Sequence, residues 1–474
     1  MVERLGRIGA SLTRFTLRWV PDAWVVAVLL SLLVWLLAVL VGGAAPWTGD
    51  VAAPACAESA ACGAFDAWSA GIWKLLPLTA QFALALVAAQ AVATAGPIWR
   101  AMDALARLPD PERPRQAIIL MALFSAGTAW ANWAVNLVMC ATFAPMVAAR
   151  SPRVDFRLLV ATAYLGLGAI WHAGLSGSAP LIIATPENFL VKQGVIAAPV
   201  PIAETILSPF NLAYVLLMVA VMTLGAAALH PPAGAAEPLD PEQARALVTP
   251  PEPTRAAPGA GFAAILDHSR LVSLLVGGAV LAHLGLRFAR EGSAGWDING
   301  YNAAFLGLGL VLHDSPRSFL SACERGARNA WGVIVQFPLY AGIFGLLTMT
   351  GLGAALTASL QRGGDAATFP AVVYALSAAV NYLVPSGGSQ WVLEAPAILR
   401  AGEALGIPPA VITLAFSYGD MSTNLVQPFW AIPLLSVTGV RFGAIMGYCL
   451  LLFLLCAAVT LVAVLAMPHL LLHT

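Results

Sequence analysis

Residues 113–157 read RPRQAIILMALFSAGTAWANWAVNLVMCATFAPMVAARSPRVDFR. The apolar run inside this stretch, Ala117 to Ala149, is long enough for a membrane span. Arg113 and Arg115 precede it, and Arg150, Arg153 and Arg157 follow it. Lys and Arg collect on the cytoplasmic side of a membrane, so a single crossing would leave one basic flank on the wrong face. A re-entrant hairpin, entering and leaving from one side, satisfies both. Gly127, Thr128, Asn132 and Asn136 lie in the middle of the run. Lipid cannot satisfy such amides or a broken backbone, so they must face protein or a water-filled cavity.

The rest of the 474 residues also fits a bilayer. Hydrophobic residues make up 59% and charged residues 10%, and the mean hydropathy is +0.82. A soluble domain carries about 25% charged residues. The net charge of zero gives no pointer to nucleic acid. The six cysteines lack the spacing of a zinc site. Cys56 and Cys62 share one polar loop; they pair if it faces an oxidising compartment and remain thiols otherwise.

Charge bias orders the segments. Arg4, Arg7, Arg14 and Arg18 place the N-terminus in the cytoplasm, ahead of a first span from Trp24 to about Val41. That run is too long for the core of a signal peptide, and no clear cleavage site follows. The Lys- and Arg-free loop Gly42 to Trp73 lies outside, and a span from Leu75 to Ala93 returns to basic residues that include Arg100 and Arg107. After the hairpin at 117–149 comes a span at 158–186, broken at His172–Pro180, then a span from Asn211 to Leu229. A Pro-rich cytoplasmic linker, 230–270, joins two halves. A connecting span occupies 271–297, followed by a span at 298–312. Arg317, Arg325 and Arg328 mark a short interfacial helix before a span from Trp331 to Thr350. A second hairpin covers 369–399, broken at Pro385–Ser389. A span at 409–435 is broken at Gly419–Asn424, and a last span, Phe442 to Met467, ends in the periplasm.

The expected architecture is therefore an all-α polytopic membrane protein. It has about nine spans, two re-entrant hairpins and two unwound helices. Residues 1–229 and 298–474 form two repeats of opposite topology. Pro77-Leu-Thr-Ala80 matches Pro338-Leu-Tyr-Ala341, the hairpin around Asn132 and Pro145 matches that around Asn381 and Pro396, and Ser176–Pro186 matches Ser422–Pro433. Inverted repeats with interrupted segments at corresponding places point to a secondary transporter with a midplane site.

The breaks suit an anion. A helix N-terminus holds free N–H groups and about half a positive charge, so it attracts a carboxylate; the C-terminal end and unwound carbonyls suit a cation. The candidate substrate contacts are Asn132, Asn136, Ser176, Ser178, Ser386, Gly387, Gly388, Ser389, Gln390, Ser422, Thr423 and Asn424. Each of these alone is as readily a helix-packing residue; their clustering at the breaks favours a site. Asp420 is an acid inside a broken span, a costly placement that is usually functional. With Asn424 and Asn132 it forms the candidate coupling-ion set, a proton or sodium being the ion. A helix cap is the plainer role for Asp420. His172 is expected as a packed or water-facing histidine rather than a proton relay. Trp130, Trp133, Trp391 and Trp430 either wall an acyl-chain pocket or simply pack.

Five stretches together carry a family resemblance: Arg18-Trp-Val-Pro-Asp22; Ser176-Gly-Ser-Ala-Pro180 with Ala184-Thr-Pro186; Val335-Gln-Phe-Pro338 with Tyr340-Ala-Gly342; Val384-Pro-Ser-Gly-Gly388 with Trp391; and Gln427-Pro-Phe-Trp430. On these the chain resembles, nearly end to end, the AtoE-type short-chain fatty acid transporters of the ion transporter superfamily that includes divalent-anion and citrate carriers. The resemblance implies an elevator-type carrier in the bacterial inner membrane. It implies uptake of short monocarboxylates such as acetoacetate and butyrate, coupled to an H+ or Na+ gradient, with a homo-oligomer, a dimer first, as scaffold. The family pattern has Glu where this chain has Asp420, and glycines where it has His172 and Ala173, which puts substrate size and coupling ion in doubt. No enzyme activity and no cofactor are implied, bound sodium being the one candidate. A carrier of di- or other small organic anions is the alternative. An intramembrane serine protease is a remote one, suggested by Gly174-Leu-Ser176-Gly177 and His283 but lacking the companion motif spacing.

Overall fold

The computed structural model describes residues 2–41, 60–186, 188–248, 261–291, 298–353, 355 and 365–471. Cys56 lies outside these, so nothing is placed for the pair with Cys62.

Among the described residues the chain is helical throughout. The first part contains α1 (Val2–Trp19), α2 (Ala23–Val41), α3 (Ala60–Lys74), α4 (Leu76–Ala93), α5 (Gly96–Ala106), α6 (Pro114–Ala131) and α7 (Trp133–Arg150). A fragmented helix follows: α8 (Phe156–Ala163), α9 (Leu165–Ala169), a 3-10 turn at Trp171–Ala173 and α10 (Ser178–Ala184). Next come α11 (Phe189–Lys192), α12 (Pro209–Ala228), α13 (Pro241–Leu247) and α14 (Phe262–Asp267). The second part runs α15 (Arg270–Glu291), α16 (Ile298–Leu312), α17 (Pro316–Met349), α18 (Phe369–Leu383) and α19 (Gly387–Ala404). It closes with α20 (Pro409–Ser422), 3-10 turns at Thr423–Leu425 and Phe429–Ala431, α21 (Ile432–Thr438) and α22 (Phe442–Leu471).

Seven of these, α2, α4, α7, α12, α15, α17 and α22, are long and apolar enough to cross a membrane. Six of them are expected single spans; α7 is an arm of the first helical pair. The two expected broken spans exist as short pieces, and the span at 298–312 is a helix of 15 residues.

The helices gather in two groups. In one, α17 packs along α2, α3 and α4, and α16 packs between α4 and α15. Glycine lets α3 and α17 meet backbone to backbone: a Cβ on Gly71 would stand 2.3 Å from the Ala341 carbonyl oxygen, and one on Gly345 would stand 2.2 Å from that of Ala67. Small residues are the usual means of close helix packing in lipid. The other group holds the pairs α6–α7 and α18–α19, the fragmented helices, α12 and α22. The α4–α7 and α17–α21 contacts join the two groups. Leu271, Leu274, Leu275 and Val276 on α15 stay exposed, as expected of a face against acyl chains.

Both expected hairpins are helix pairs; the first breaks at Asn132, and the second at 384–386 rather than 385–389, since Gly387–Ser389 already belong to α19. Three further expectations are corrected. The interfacial helix and span at 317–350 are one helix of 34 residues, about 51 Å long: no Pro or Gly lies between Arg328 and Trp331, and Pro338 further along is carried inside the helix. The loop 42–73 ends in a helix from Ala60 onward, and α1 is an amphipathic helix held to α22 by the Thr16 hydroxyl on the Gly443 carbonyl, at 2.8 Å. The second unwound stretch is 423–431 rather than 419–424. Asp420 therefore sits in the last turn of α20 and is not the cap of a restarted helix.

Candidate functional site

The fragmented helices cross where the two helical pairs turn. On the α6–α7 side the backbone is closed. Asn132 is the N-cap of α7, and its Oδ1 accepts from the N–H groups of Ala134 and Val135 at 2.9 and 3.0 Å. Ser176 Oγ accepts from Trp133 N at 3.0 Å, and the Trp130 carbonyl accepts from Leu175 N at 2.7 Å. Asn132 and Ser176, two candidate contacts, thus hold the turn together. Asn136 is fully buried one turn on. Its Nδ2 donates to the Ser125 carbonyl (2.8 Å) and to Thr128 Oγ1 (3.0 Å) and contacts Cys140 Sγ at 3.3 Å, while its Oδ1 has no partner.

The α18–α19 side is built differently. No side chain caps α19. Ser386 turns its hydroxyl to Ser389 (3.2 Å), so the first N–H groups of α19 keep the partial positive charge of a helix start. Gly388 faces Ser178, with 4.0 Å between the Ser178 hydroxyl and a Cβ built on Gly388. A Cβ on Gly387 would press on His172 Cε1 at 2.8 Å, Trp171 at 2.9 Å and Asp420 Oδ2 at 3.2 Å. Only glycine fits where the tip of α19 lies on this pair.

His172 and Asp420 are both fully buried, and His172 Nδ1 lies 2.5 Å from Asp420 Oδ2. His172 Nε2 receives the N–H of Ala179 at 3.0 Å. A ring nitrogen that accepts carries no proton, so the proton is on Nδ1 and is donated to Asp420 Oδ2. Asp420 Oδ1 has no partner. Trp171 stacks on the imidazole at 4.3 Å, and Phe416 meets it edge-on. His172 is thus packed, as expected, and is in addition the direct partner of Asp420.

Ser422 donates back to the Tyr418 carbonyl. Thr423 Oγ1 donates to the Ala378 carbonyl at 3.0 Å and accepts from Asn381 Nδ2 at 2.9 Å. Asn424 Oδ1 accepts from the same Asn381 amide at 2.9 Å, and its Nδ2 donates to the Leu167 carbonyl at 3.3 Å. Gln390, fully buried, donates to the Ser377 carbonyl (2.7 Å) and to Glu394 Oε1 (2.8 Å), leaving its own Oε1 without a partner. Trp133 and Trp430 come together at 5.0 Å with Phe82 against both. Trp430 Nε1 donates to the Pro385 carbonyl at 2.9 Å, which fixes this aromatic wall to the α19 tip. Trp391 packs elsewhere, on Phe416, and Trp130 contributes its carbonyl.

Glu394, Ser377 and Asn381 were not among the expected site residues. The signal for Glu394 was present: an acid inside an apolar segment already placed in the membrane. The protease reading has no geometry behind it, since Ser176 is engaged by Trp133 N and His283 is exposed on α15.

A polytopic helical protein with buried acids and interrupted helices belongs to the class of membrane transporters. The family described as "Short chain fatty acid transporter" matches residues 4–467. A protein of Escherichia coli (strain K12) named "Putative short-chain fatty acid transporter" is 33% identical over 448 residues, 94% of this chain and 96% of its own. One of the same name from Haemophilus influenzae (strain Rd) is 30% identical over 453 residues, again 94% of this chain and 96% of its own. The chain belongs to the short-chain fatty acid transporter family; its homologues are transporters, not enzymes. Among solved structures, the Alcanivorax borkumensis YdaH transporter aligns over 93% of this chain and 98% of its own, at 16% identity and a TM-score of 0.44. That likeness is too loose to place any helix.

Proposed function

We propose that the protein is a secondary active carrier that takes up short monocarboxylates, of the size of acetoacetate or butyrate, across the bacterial inner membrane with a coupled cation. The observation that carries this reading is the uncapped start of α19 lying on the buried Asp420–His172 pair. The substrate carboxylate docks on the N–H groups of Gly387, Gly388 and Ser389 with Ser386 and Ser178 beside them. No arginine is needed for a single negative charge held by several neutral donors. The acyl tail lies along Trp133 and Trp430. The cation is held in the buried acidic region around Asp420, whose Oδ1 lacks a partner. Asn424 and Asn381 hold the unwound 423–425 turn. Asn132, Asn136 and Ser176 support the other break rather than touch substrate.

What supports an internal repeat is a recurring clasp: an amide in the fourth residue of the second arm donates to a serine carbonyl on the first arm, Asn136 to Ser125 and Gln390 to Ser377. On this reading residues 1–229 and 298–474 are repeats of opposite topology, with 230–270 as cytoplasmic linker and 271–297 as connecting span. The helix pairs are re-entrant hairpins, the N-terminus is cytoplasmic and the C-terminus periplasmic. The group built on α17 serves as the fixed scaffold, a dimer in the membrane, past which the hairpin group slides as an elevator.

The test is uptake of radiolabelled butyrate and acetoacetate into proteoliposomes, with pH and sodium gradients imposed separately. Gradient-driven, saturable uptake is expected. Uptake of dicarboxylates alone would move the substrate to larger organic anions. Trp133→Ala is expected to shift preference toward longer chains by about tenfold, the worth of one or two methylenes in an apolar pocket; an unchanged chain-length profile would remove the aromatic wall from the site.

A further inference from the structure

The clasp of the α6–α7 pair ends in a thiol. Asn136 reaches Cys140, one turn on, at 3.3 Å. The clasp of the α18–α19 pair ends in an acid: Gln390 reaches Glu394, also one turn on, at 2.8 Å. Glu394 is 4% exposed. Its Oε1 accepts from Gln390 and its Oε2 from the Ser377 hydroxyl, at 2.7 Å. Both donors are neutral. Among the described residues the helices that pack most extensively on α19 are α10, α18 and α20, and none of these contains a Lys or Arg. Their ionisable groups are Tyr374 and Tyr382 on α18 and Tyr418 and Asp420 on α20. His172 lies against the start of α19 and is neutral by its hydrogen bonds. On α19 itself Arg400 and Glu403 follow, more than a turn further along.

Two acids therefore share one buried region. Ser377, the donor to Glu394, packs on Gly419, with 2.9 Å between its Cβ and a Cβ built there, and Asp420 is the next residue. Asp420 Oδ2 already faces the Nδ1–H of His172. A second carboxylate beside it, out of water and without a cation, is costly enough that such a group binds a cation or takes a proton. The surroundings of Glu394 suit a proton: each oxygen has one neutral partner, and in the acid form Oε2–H donates to Ser377 Oγ instead of accepting from it.

We propose that Glu394 is the proton-binding residue of the carrier and that the coupled cation is a proton. This deepens the reading above and rests on it. The Glu394 carboxylate takes one proton from water when the site faces outward, forming the acid O–H. It crosses as the neutral acid beside the substrate carboxylate. It then returns the proton to water on the inner side and is again a carboxylate. One proton moves with one monocarboxylate, and the cycle carries no net charge.

The experiment compares wild type, Glu394→Gln and Ser377→Ala in proteoliposomes by two readouts. Infrared difference spectra across a pH titration without substrate detect a buried protonated carboxyl. Butyrate accumulation under an inward pH gradient is set against butyrate–butyrate exchange without one. Wild type is expected to show a titrating carboxyl band and gradient-driven accumulation. Glu394→Gln, which keeps the shape and neutral state of the acid, is expected to lose both and retain exchange, and retained exchange also verifies its folding. Ser377→Ala removes a donor to the carboxylate form and is expected to keep accumulation with its pH profile moved to alkaline values. A Glu394→Gln protein that retains the band, or accumulates butyrate under the pH gradient as wild type does, overturns the proposal. If the band belongs to Glu394 but wild type moves no monocarboxylate under any gradient, the proton site stands and the substrate assignment falls.

Discussion

In the α6–α7 pair, Asn132 and Ser176 close the turn by accepting three backbone N–H groups, and the clasp behind them ends in Cys140. In the α18–α19 pair no side chain caps the second helix, and the clasp ends in Glu394 next to Asp420. The two pairs share a scaffold of serine carbonyl and buried amide, and both amides leave an oxygen without a partner. What differs is where charge is handled. The first pair has its acid contact at its base, where Arg150 at the end of α7 meets Asp103 of α5; the second places an acid, Glu394, in the middle of α19. A rigid, capped turn suits structural support. An open helix start over two acids suits a ligand and a cation. Five further substitutions test this division.

The largest effect is expected at the acid itself. Asp420→Asn removes the carboxylate that receives the His172 proton but leaves an oxygen to accept it. Gradient-driven accumulation should fall by at least about tenfold while exchange persists, since intramembrane acids serve function more than stability. Normal accumulation in this variant would show that the Asp420 charge in the Glu394 region plays no part in coupling.

Next come the neighbouring glycines at the α19 tip. Gly387→Ala forces a methyl against His172, Trp171 and Asp420 and should cost about 1–3 kcal/mol, the usual penalty of overpacking. Gly388→Ala meets nothing closer than 4.0 Å and should leave the melting temperature in nanodiscs nearly unchanged. Equal losses at both positions would mean that α19 does not rest on the acid pair.

At the capped turn, Asn132→Ala should lower stability by about 1 kcal/mol, the worth of an N-cap, with proton coupling intact. Loss of coupling at normal stability would instead make Asn132 an ion ligand and erase the contrast between the two pairs.

The smallest effect lies at the base of α7. Burial pushes the Asp103 carboxyl up, but hydrogen bonds and charge from Arg107 and Arg150 outweigh it and hold the group below its ordinary value of 3.8. A depressed folded value gives stability that is present above the ordinary value and lost as pH falls through the folded one. Asp103→Asn should cost less than about 1 kcal/mol at neutral pH. That cost should shrink toward zero as pH falls from 3.8 through the lowered folded value, as read from melting temperatures. A pH-independent difference would show that the contact acts through packing alone.

Much of this fold is legible in the sequence because the bilayer leaves few options. The basic flanks of 117–149 and the glycine, serine and asparagine clusters mark both helix pairs and both fragmented helices. What stays hidden has local causes. Residues 316–349 change from charged to apolar near Arg328 with no Pro or Gly at that point, so composition suggests a boundary that the backbone does not have. The hydroxyl and amide side chains near each break are visible, but whether they meet a ligand or satisfy the break itself depends on which N–H each one faces. Asn132 and Ser176 look no different in sequence from Ser386 and Ser389. His172 and Asp420 are 248 residues apart, and no spacing rule joins them. Glu394 was legible by the rule that singles out Asp420, but it lies beyond the break in a regular helix, where attention to the interrupted segment does not reach.

The most direct test of the account is accumulation of radiolabelled butyrate by reconstituted wild-type protein under an inward pH gradient with sodium absent, against the same gradient with Glu394→Gln. The account predicts accumulation above the external concentration in wild type and only exchange in the variant. Equal accumulation in both would contradict it, because the acid that separates the second hairpin from the first would then play no part in coupling.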